Sequence, residues 1–297
     1  MNAQRKYKDT VYRMLFKKAG NALSLYNSLN GTSYSDESML EFNTLENAIY
    51  MGMKNDLSFL IMDQMHLYEQ QSTYTPNMPL RDLFYVADLL QVLVKDKSLY
   101  SSRLIKIPTP HFVVFYNGRD NIPESVELKL SEAFEIKTEE PELELKVQIL
   151  NINPGMNEEL KAKCPILNEY VIYVEKVRKY AKYMLLEEAV EQAIEECIKD
   201  NILREFLLTQ RAEVLKMSIY EYDEEKELRL IRADERQLGR EEERENTDKE
   251  RREKEEAIIS LCKEFGSTKE ETAKRLSEKC KLSKAESEEK VNTYWEN

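Results

Sequence analysis

Strand-like sequence patterns occur only in the first half of the chain, and this division constrains the fold more than any other feature. Residues 57–62 and 112–116 are nearly continuous apolar runs, and residues 143–149 alternate apolar with polar side chains. Runs of this length and periodicity are typical of β-strands that are buried on both faces or wet on one. From about residue 157 the apolar positions follow helical spacing only. The sequence therefore predicts an α/β region followed by an all-helical region.

Helical spacing also surrounds the predicted strands. Apolar residues between positions 4 and 28 recur at the intervals of one or two helices. A further helix is expected after Asn77, which can cap it, because Pro79 is tolerated in a first helical turn. The predicted apolar stripe of this helix is Leu80, Leu83, Phe84, Ala87, Leu90 and Val94.

The C-terminal region begins with a segment that cannot bury a face. Residues 221–256 hold 16 acidic and 10 basic residues in 36 positions, which predicts a solvated helix or a charged linker. Residues 257–297 regain apolar spacing, and capping boxes are expected at Ser267 with Glu270 and at Ser283 with Glu286. The apolar residues expected to close this small unit are Ile258, Ile259, Leu261, Phe265, Ala273, Leu276, Leu282, Val291, Tyr294 and Trp295.

These patterns divide the chain into four predicted regions. An α/β core covers residues 1–155, and a helical extension packed on that core covers 156–220. The charged helix or linker covers 221–256, and a small helical unit covers 257–297.

Composition excludes several classes of protein. No run of 18 apolar residues exists, so we expect no transmembrane helix and no membrane partner, and the first 18 residues lack the apolar stretch of a secretory signal. The four cysteines are far apart without a CxxC pair, which argues against a disulfide framework or a zinc cluster. We therefore expect a cytoplasmic protein. His66 and His111 are the only two histidines; neither lies in a nucleophile motif, and both are predicted to be structural.

The net charge of −12 is distributed unevenly. Residues 1–119 hold 13 basic and 11 acidic residues, whereas the rest of the chain holds 31 basic and 45 acidic ones. Overall acidity opposes non-specific binding to nucleic acid. The near-neutral first part removes most of that objection for a site located there.

Two acidic residues come together if residues 57–71 form a hairpin with its turn at Asp63 and Gln64. Ser58 then lies opposite Glu69, and Asp56 lies opposite Gln71. Because side chains alternate along strands, all four share one face, and the two carboxylates are diagonal neighbours. Such a pair can bind Mg²⁺, which can activate water and stabilise charge on a phosphodiester. From spacing alone, the alternative is that Asp56 ends a turn and Glu69 is a solvated strand residue.

Three segments around these acids resemble a known family. The sequences KNDLSFL at 54–60, LYEQQST at 67–73 and PNMPLR at 76–81 are similar to the recombination-promoting nuclease/transposase family of the PD-(D/E)XK nuclease superfamily. The resemblance begins near residue 7, includes PTP at 108–110 and FYNG at 115–118, and continues more weakly to about residue 223.

The resemblance implies a PD-(D/E)XK-like mixed β-sheet flanked by helices, and Mg²⁺-dependent cleavage of DNA in recombination or transposition, with Mn²⁺ as a substitute ion. Asp56 matches the metal-binding aspartate, Glu69 the second acid, and Gln71 the position that usually holds lysine. The backbone carbonyl of Gln70 is a further candidate metal ligand. Gln71 departs from the superfamily pattern; it supplies no charge, but its amide can orient water or a phosphate oxygen.

Two basic residues are candidates for substrate binding. Lys54 lies two residues before Asp56, hence on the same face, where it can supply the missing cation or remain a solvated lysine. Arg81 lies in the first turn of the helix after the site, where it can contact a phosphate or form an ion pair that positions the loop.

We therefore predict a Mg²⁺-dependent DNA endonuclease that uses Asp56, Glu69 and Gln71. One alternative is a nuclease-like fold that binds DNA or a protein without cleaving. Another places the function in the acidic helical tail, as a module for homo-oligomerisation or partner docking. The three filled site positions favour the enzyme, whereas the absent lysine and the acidic balance weigh against it.

Overall fold

The computed structural model describes residues 11–43 and 56–295, and for some residues within 220–245 the description is confined to the backbone. The chain divides into two compact units, Met1–Lys226 and Glu227–Asn297. The finer division at residues 155, 220 and 256 stays a prediction.

The first unit contains a mixed sheet of six strands in the order β1-β2-β3-β4-β6-β5. The strands are β1 Glu41–Phe42, β2 Leu57–Ile61, β3 Gln64–Gln71, β4 Thr109–Tyr116, β5 Ser125–Lys129 and β6 Lys146–Asn151. β3, β4 and β6 are parallel neighbours, whereas β1, β2 and β5 join the sheet antiparallel. The predicted α/β class is confirmed at this level.

The helices precede, interrupt and follow this sheet. They are α1 Val11–Phe16, α2 Ala19–Asn30, α3 Met78–Val94, α4 Glu158–Lys163, α5 Pro165–Tyr180, α6 Leu186–Lys199, α7 Arg204–Glu264, α8 Lys269–Cys280 and α9 Lys284–Tyr294. Among the described residues, every regular element after β6 is a helix, as the sequence predicts.

Each face of the sheet carries its own hydrophobic core. On one face, Phe59, Tyr68 and Phe115 pack with residues of α1, α2, α5, α6 and the first part of α7. On the other face, Met65 and Val114 pack with residues of α3. β4 lies between two parallel neighbours and contributes to both cores, which explains why its sequence is a continuous apolar run.

The hairpin register differs from the prediction. Leu57 pairs with Tyr68 and Ile61 with Gln64, so the turn consists of Met62 and Asp63 and not of Asp63 and Gln64. Both turn residues have positive φ, 49° and 59°. This is the backbone of a primed two-residue turn, whose twist matches the strands it joins. The predicted pairing of Ser58 with Glu69 is therefore wrong, and Ser58 lies opposite Leu67.

The shift nevertheless preserves the predicted faces, because it moves the pairing by two residues. The observed pairs end at Leu57 with Tyr68, so Asp56 lies just outside the paired part of β2 and no cross-strand partner is assigned to it. Ser58, Leu67, Glu69 and Gln71 remain on one face of the sheet.

The predicted apolar stripe of α3 is wrong in part: Leu83 and Leu90 pack against the core, but the buried face of the helix is a different one. The helix buries Met78, Pro79, Asp82, Tyr85, Val86 and Leu89. Leu80 and Phe84, which were expected to face the core, are 40% and 41% exposed. The prediction counted apolar residues only and therefore missed the face that includes an aspartate.

The second unit has a small core of its own. Ile259, Ala273, Leu276 and Val291 are its buried apolar residues. Ser283 and Glu286 form the predicted capping box, but the other box is formed by Thr268 and Glu271, one residue later than expected. Leu261 and Phe265 were expected in this core and are exposed.

Candidate active site

The candidate site lies where β3 extends past the end of its hairpin partner. β2 pairs with β3 only as far as Tyr68, whereas β4 accompanies β3 to Gln71. Beyond this point the side chain of Asp56, immediately before β2, contacts the edge of β3 where a longer β2 would have paired with it. Its Oδ2 atom accepts a hydrogen bond of 2.8 Å from the backbone N–H of Gln70. The aspartate is therefore joined to the segment that carries the other site residues.

The backbone N–H of Gln70 points along the sheet toward Asp56, whereas its side chain lies on the sheet face opposite to Glu69 and Gln71. The N–H and C=O groups of one strand residue point the same way, so the Gln70 carbonyl points toward the Asp56 side. This direction suits the predicted role of that carbonyl. The Gln70 side chain donates a hydrogen bond of 2.8 Å to Oδ1 of Asn117.

Glu69 is buried, with a side chain only 6% exposed. Its Oε1 atom accepts a hydrogen bond from Nη2 of Arg81 at 2.8 Å and another from Nε2 of Gln71. Of the two roles considered for Arg81, the structure contains the ion pair, and its partner is the predicted metal-binding glutamate. Gln71 likewise lies beside Glu69, as its place on the same face requires.

The electrostatics of the site favour the entry of positive charge. Loss of hydration and then the negative charge of Glu69 raise the pKa of Asp56 to about 7, against the opposing effects of the Gln70 N–H and of Arg13 and Arg81. Burial also raises the pKa of Glu69, although Arg81 opposes this. A cation bound between the two carboxylates would relieve both effects.

A third carboxylate, that of Asp82, was missed from the sequence. Asp82 is 4% exposed and follows Arg81 in α3. Burial and the charge of Glu69 raise its pKa well above the usual range, and Arg81 opposes the rise. Its signal in the sequence is a four-residue spacing from Met78 and a three-residue spacing to Tyr85, which places a polar residue on the buried face of the helix.

Asn117 and Gly118, which follow β4, hold the end of β3 in place. The Asn117 N–H donates to the Gln71 carbonyl at 3.1 Å, and its own carbonyl accepts from Arg178 of α5. A Cβ atom at Gly118 would collide with the Ser72 carbonyl, so only glycine permits this close approach. The FYNG segment therefore has a structural reason to accompany the site residues.

The two histidines lie away from the acids, on β3 and β4. His66 is 2% exposed and stacks on Phe59 and on His111, with ring centroids 5.5 Å and 4.9 Å apart. The prediction that His66 is a packed residue is confirmed. Lys54, the other candidate for substrate binding, lies outside the described residues.

The donor set suits a hard divalent cation. Asp56, Glu69 and the Gln70 carbonyl offer oxygen atoms only, and Mg²⁺ takes one or two carboxylates together with water and substrate phosphates. Among the described residues, no three His, Cys, Asp or Glu side chains are grouped as a complete metal site. An ion held by these three oxygen donors would take its remaining ligands from solvent and substrate.

Wider comparisons add no assignment to this geometry. No helix in the described part of the chain combines the length and the apolar character needed to cross a membrane. Comparisons with protein-family models, with curated proteins and with solved structures found no match for this chain.

Proposed function

We propose that this chain is a Mg²⁺-dependent DNA endonuclease of the PD-(D/E)XK type, acting in recombination or transposition in the cytoplasm. The observation that carries the proposal is the pair of carboxylates of Asp56 and Glu69, joined through Gln70 at the open end of β3. Mn²⁺ is expected to replace Mg²⁺. The resemblance of segments 54–60, 67–73 and 76–81 to the recombination-promoting nucleases agrees with this arrangement.

Each site residue has a defined task in this proposal. Asp56, Glu69 and the Gln70 carbonyl would hold the ion, which supplies an activated water molecule and offsets charge on the phosphodiester. Gln71 donates a hydrogen bond from the same face, and its amide can orient the attacking water or a phosphate oxygen. Arg81 can contact a phosphate once its guanidinium leaves Glu69.

One observation favours the alternative of a nuclease-like fold that binds DNA or a protein without cleaving. Glu69 already has two donors, Arg81 and Gln71, on the same oxygen atom. A carboxylate engaged in this way can be a purely structural ion-pair partner. An activity assay with a charge-neutral variant separates the two functions.

The test is nicking of supercoiled plasmid by purified protein in Mg²⁺, in Mn²⁺ and in EDTA. Wild type is expected to nick with either ion and not in EDTA. Glu69→Gln should lower the rate at least about 100-fold, because it removes the charge that holds the ion. The matched control is Glu127→Gln, which changes an exposed glutamate on the edge strand β5 and should nick as wild type does. Equal rates for Glu69→Gln and wild type would rule out the proposed site.

A further inference from the structure

Arg81 supplies a positive charge amid the acids of the site. Its guanidinium lies 2.8 Å from Oε1 of Glu69, and its side chain remains 27% exposed. Glu69, Asp82 and Asp56 all interact with it electrostatically and raise its pKa, although burial acts in the opposite direction. Three carboxylates therefore share one arginine, which makes Arg81 the main internal source of neutralisation for Glu69.

A divalent ion on Glu69 would compete with this arrangement. Arg81 and Gln71 both donate to Oε1, and an ion on the same carboxylate would bring its double positive charge within a few ångströms of the guanidinium and repel it. Gln71 is neutral and can stay. Arg81 remains charged at any working pH, so it must then find another anion.

Arg81 is placed where it can reach such an anion on bound DNA. It lies in the first turn of α3, and part of its side chain is in contact with solvent. A phosphate group of bound DNA would reach the site from the solvent side, and a planar guanidinium binds phosphate oxygens in a bidentate manner. The ion and the arginine would then serve the same substrate from different places.

We propose that Arg81 is the built-in counter-cation of the acidic site: it neutralises Glu69 and its neighbours until a divalent ion binds, and then turns to a phosphate of the DNA. The inference rests on the proposed function, because it assumes that an ion binds Asp56 and Glu69. It adds that the ion repels a charge of the protein's own, so that metal binding and DNA binding are coupled through one side chain.

The first experiment is a calorimetric titration of Mn²⁺ into wild type, Arg81→Met and Arg81→Lys. Arg81→Met is expected to bind Mn²⁺ roughly 5- to 50-fold more tightly than wild type, because the ion no longer competes with a guanidinium. Arg81→Lys, which keeps the charge, should stay close to wild type. The control is Arg103→Met, an exposed arginine in the loop after α3, and it should leave the affinity unchanged.

The sign of the change decides between two roles for Arg81. A residue that merely positions Glu69 for the ion would give weaker binding when it is removed. Equal or weaker binding by Arg81→Met, with measurable binding by wild type, therefore overturns the inference and leaves the proposed function intact. If wild type binds no Mn²⁺ at millimolar concentration, the proposed function itself fails.

Thermal unfolding in EDTA and in Mn²⁺ keeps the test valid if Arg81→Met is unstable. Removing the counter-cation should lower the melting temperature in EDTA, and Mn²⁺ should restore more of it than the ion adds to wild type. The double variant Glu69→Gln/Arg81→Met should show a smaller loss in EDTA, since the buried charge is then absent. A gain with Mn²⁺ no larger than that of wild type contradicts the inference.

A second experiment tests the phosphate contact by fluorescence anisotropy with a labelled DNA duplex in EDTA and in Ca²⁺. In EDTA, Arg81→Met should bind DNA as tightly as wild type, because Arg81 is occupied by Glu69. In Ca²⁺, another ion that takes oxygen ligands, the variant should bind at least about 5-fold more weakly than wild type. An equal loss in both conditions, or no loss in either, shows that the ion does not release Arg81.

Discussion

His66 is a buried neutral side chain whose surroundings oppose protonation. It lies between Phe59, His111 and the rings of Tyr26 and Tyr68, and no carboxylate among the described residues forms an ion pair with it. Burial, and then the neighbouring His111, lower its pKa to about 4. Protonation of His66 is therefore less favourable in the folded state than in the unfolded chain, so this residue lowers the stability of the folded state in acid.

The first prediction concerns the variant His66→Phe. An unfolded histidine has a pKa near 6.5, so the unfolded chain binds more protons than the folded one between about pH 4 and 6.5. Wild type should therefore lose about 2 kcal/mol of stability from this group when the pH falls from 7.5 to 5. His66→Phe should not show that loss. Urea unfolding at both pH values measures the difference, and His111→Phe is a control at an exposed position with a weaker expected effect.

The second prediction concerns Gln71. Gln71→Ala should lower the nicking rate by roughly 10- to 100-fold, because it removes a hydrogen-bond donor beside the reacting groups. Its Mn²⁺ affinity should change far less, since an amide is a weak ligand next to two carboxylates. Gln71→Lys should retain some activity. A Gln71→Ala protein with the wild-type rate would remove this side chain from the mechanism.

At the level of single residues, the sequence predicts the position of a strand side chain better than that of a helix side chain. A strand position follows from alternation, whereas a helix position depends on which face the helix buries. Glu69 and Gln71 share a face in any register, so alternation alone places them together, and the short hairpin brings Asp56 back to the same end of β3. Asp82 became part of the site because α3 turns it inward; its spacing from Met78 and Tyr85 is the local signal, which a count of apolar residues alone overlooks. The interaction of Arg81 with Glu69 follows from the same rotation.

At the level of elements, the hairpin between β2 and β3 shows why turns are hard to predict. Met62 and Asp63 both adopt positive φ, but neither is glycine or asparagine, the residues that usually signal this turn. No residue type in the sequence therefore favours Met62 and Asp63 over the predicted turn at Asp63 and Gln64. Strands β1 and β5 were not predicted because they lie at the two edges of the sheet, and Leu128 is the one buried residue of β5.

The third prediction follows from this backbone. Replacing Met62 with Asn and Asp63 with Gly should stabilise the protein by about 1 kcal/mol, because asparagine tolerates positive φ better than methionine does and glycine has no Cβ atom to strain it. Little packing is lost, since Met62 is 60% exposed. The midpoint of urea unfolding measures the change. The reversed pair, Gly at 62 and Asn at 63, is a composition-matched control with a smaller expected gain, and a lower midpoint for the Asn-Gly protein would contradict the assigned turn.

At the level of the whole molecule, the first unit continues into α7. Val214 and Met217 are buried in its core, and Ser218 is hydrogen-bonded to Tyr173 at 2.7 Å. Glu221 then accepts a hydrogen bond of 2.7 Å from the backbone N–H of Val11, at the start of α1. The sequence predicts a boundary at residue 220, and the two compact units divide after Lys226.

The fourth prediction is that a truncated protein ending at Lys226 folds and nicks DNA. A protein ending at Tyr220 should melt at a lower temperature, because it lacks the carboxylate that caps α1. Circular dichroism and the nicking assay, at matched ionic strength, compare the two with full-length protein. The acidic segment 221–256 repels DNA, so the shorter proteins should bind it at least as well as the full chain.

The same comparison tests the tail as an oligomerisation module. The small helical unit has four buried apolar residues in its core, so a second copy would add to its stability. Sedimentation should therefore show self-association of the full chain and a monomer after truncation at Lys226. A truncated protein that is folded but inactive, where full-length protein cuts, would place the tail in the catalytic assembly.

The hydrogen bond from the Gln70 N–H to Asp56 has a consequence for how such a site is lost over generations. One oxygen of this side chain serves the backbone of β3, whatever the other does for the ion. Asparagine keeps that acceptor and removes the charge, whereas alanine leaves a backbone donor unsatisfied. A protein lineage that no longer needs cleavage activity still needs an acceptor oxygen for the Gln70 N–H. Sequence drift at this position is therefore expected to pass through asparagine, which would mark a chain that has lost its activity and kept its architecture.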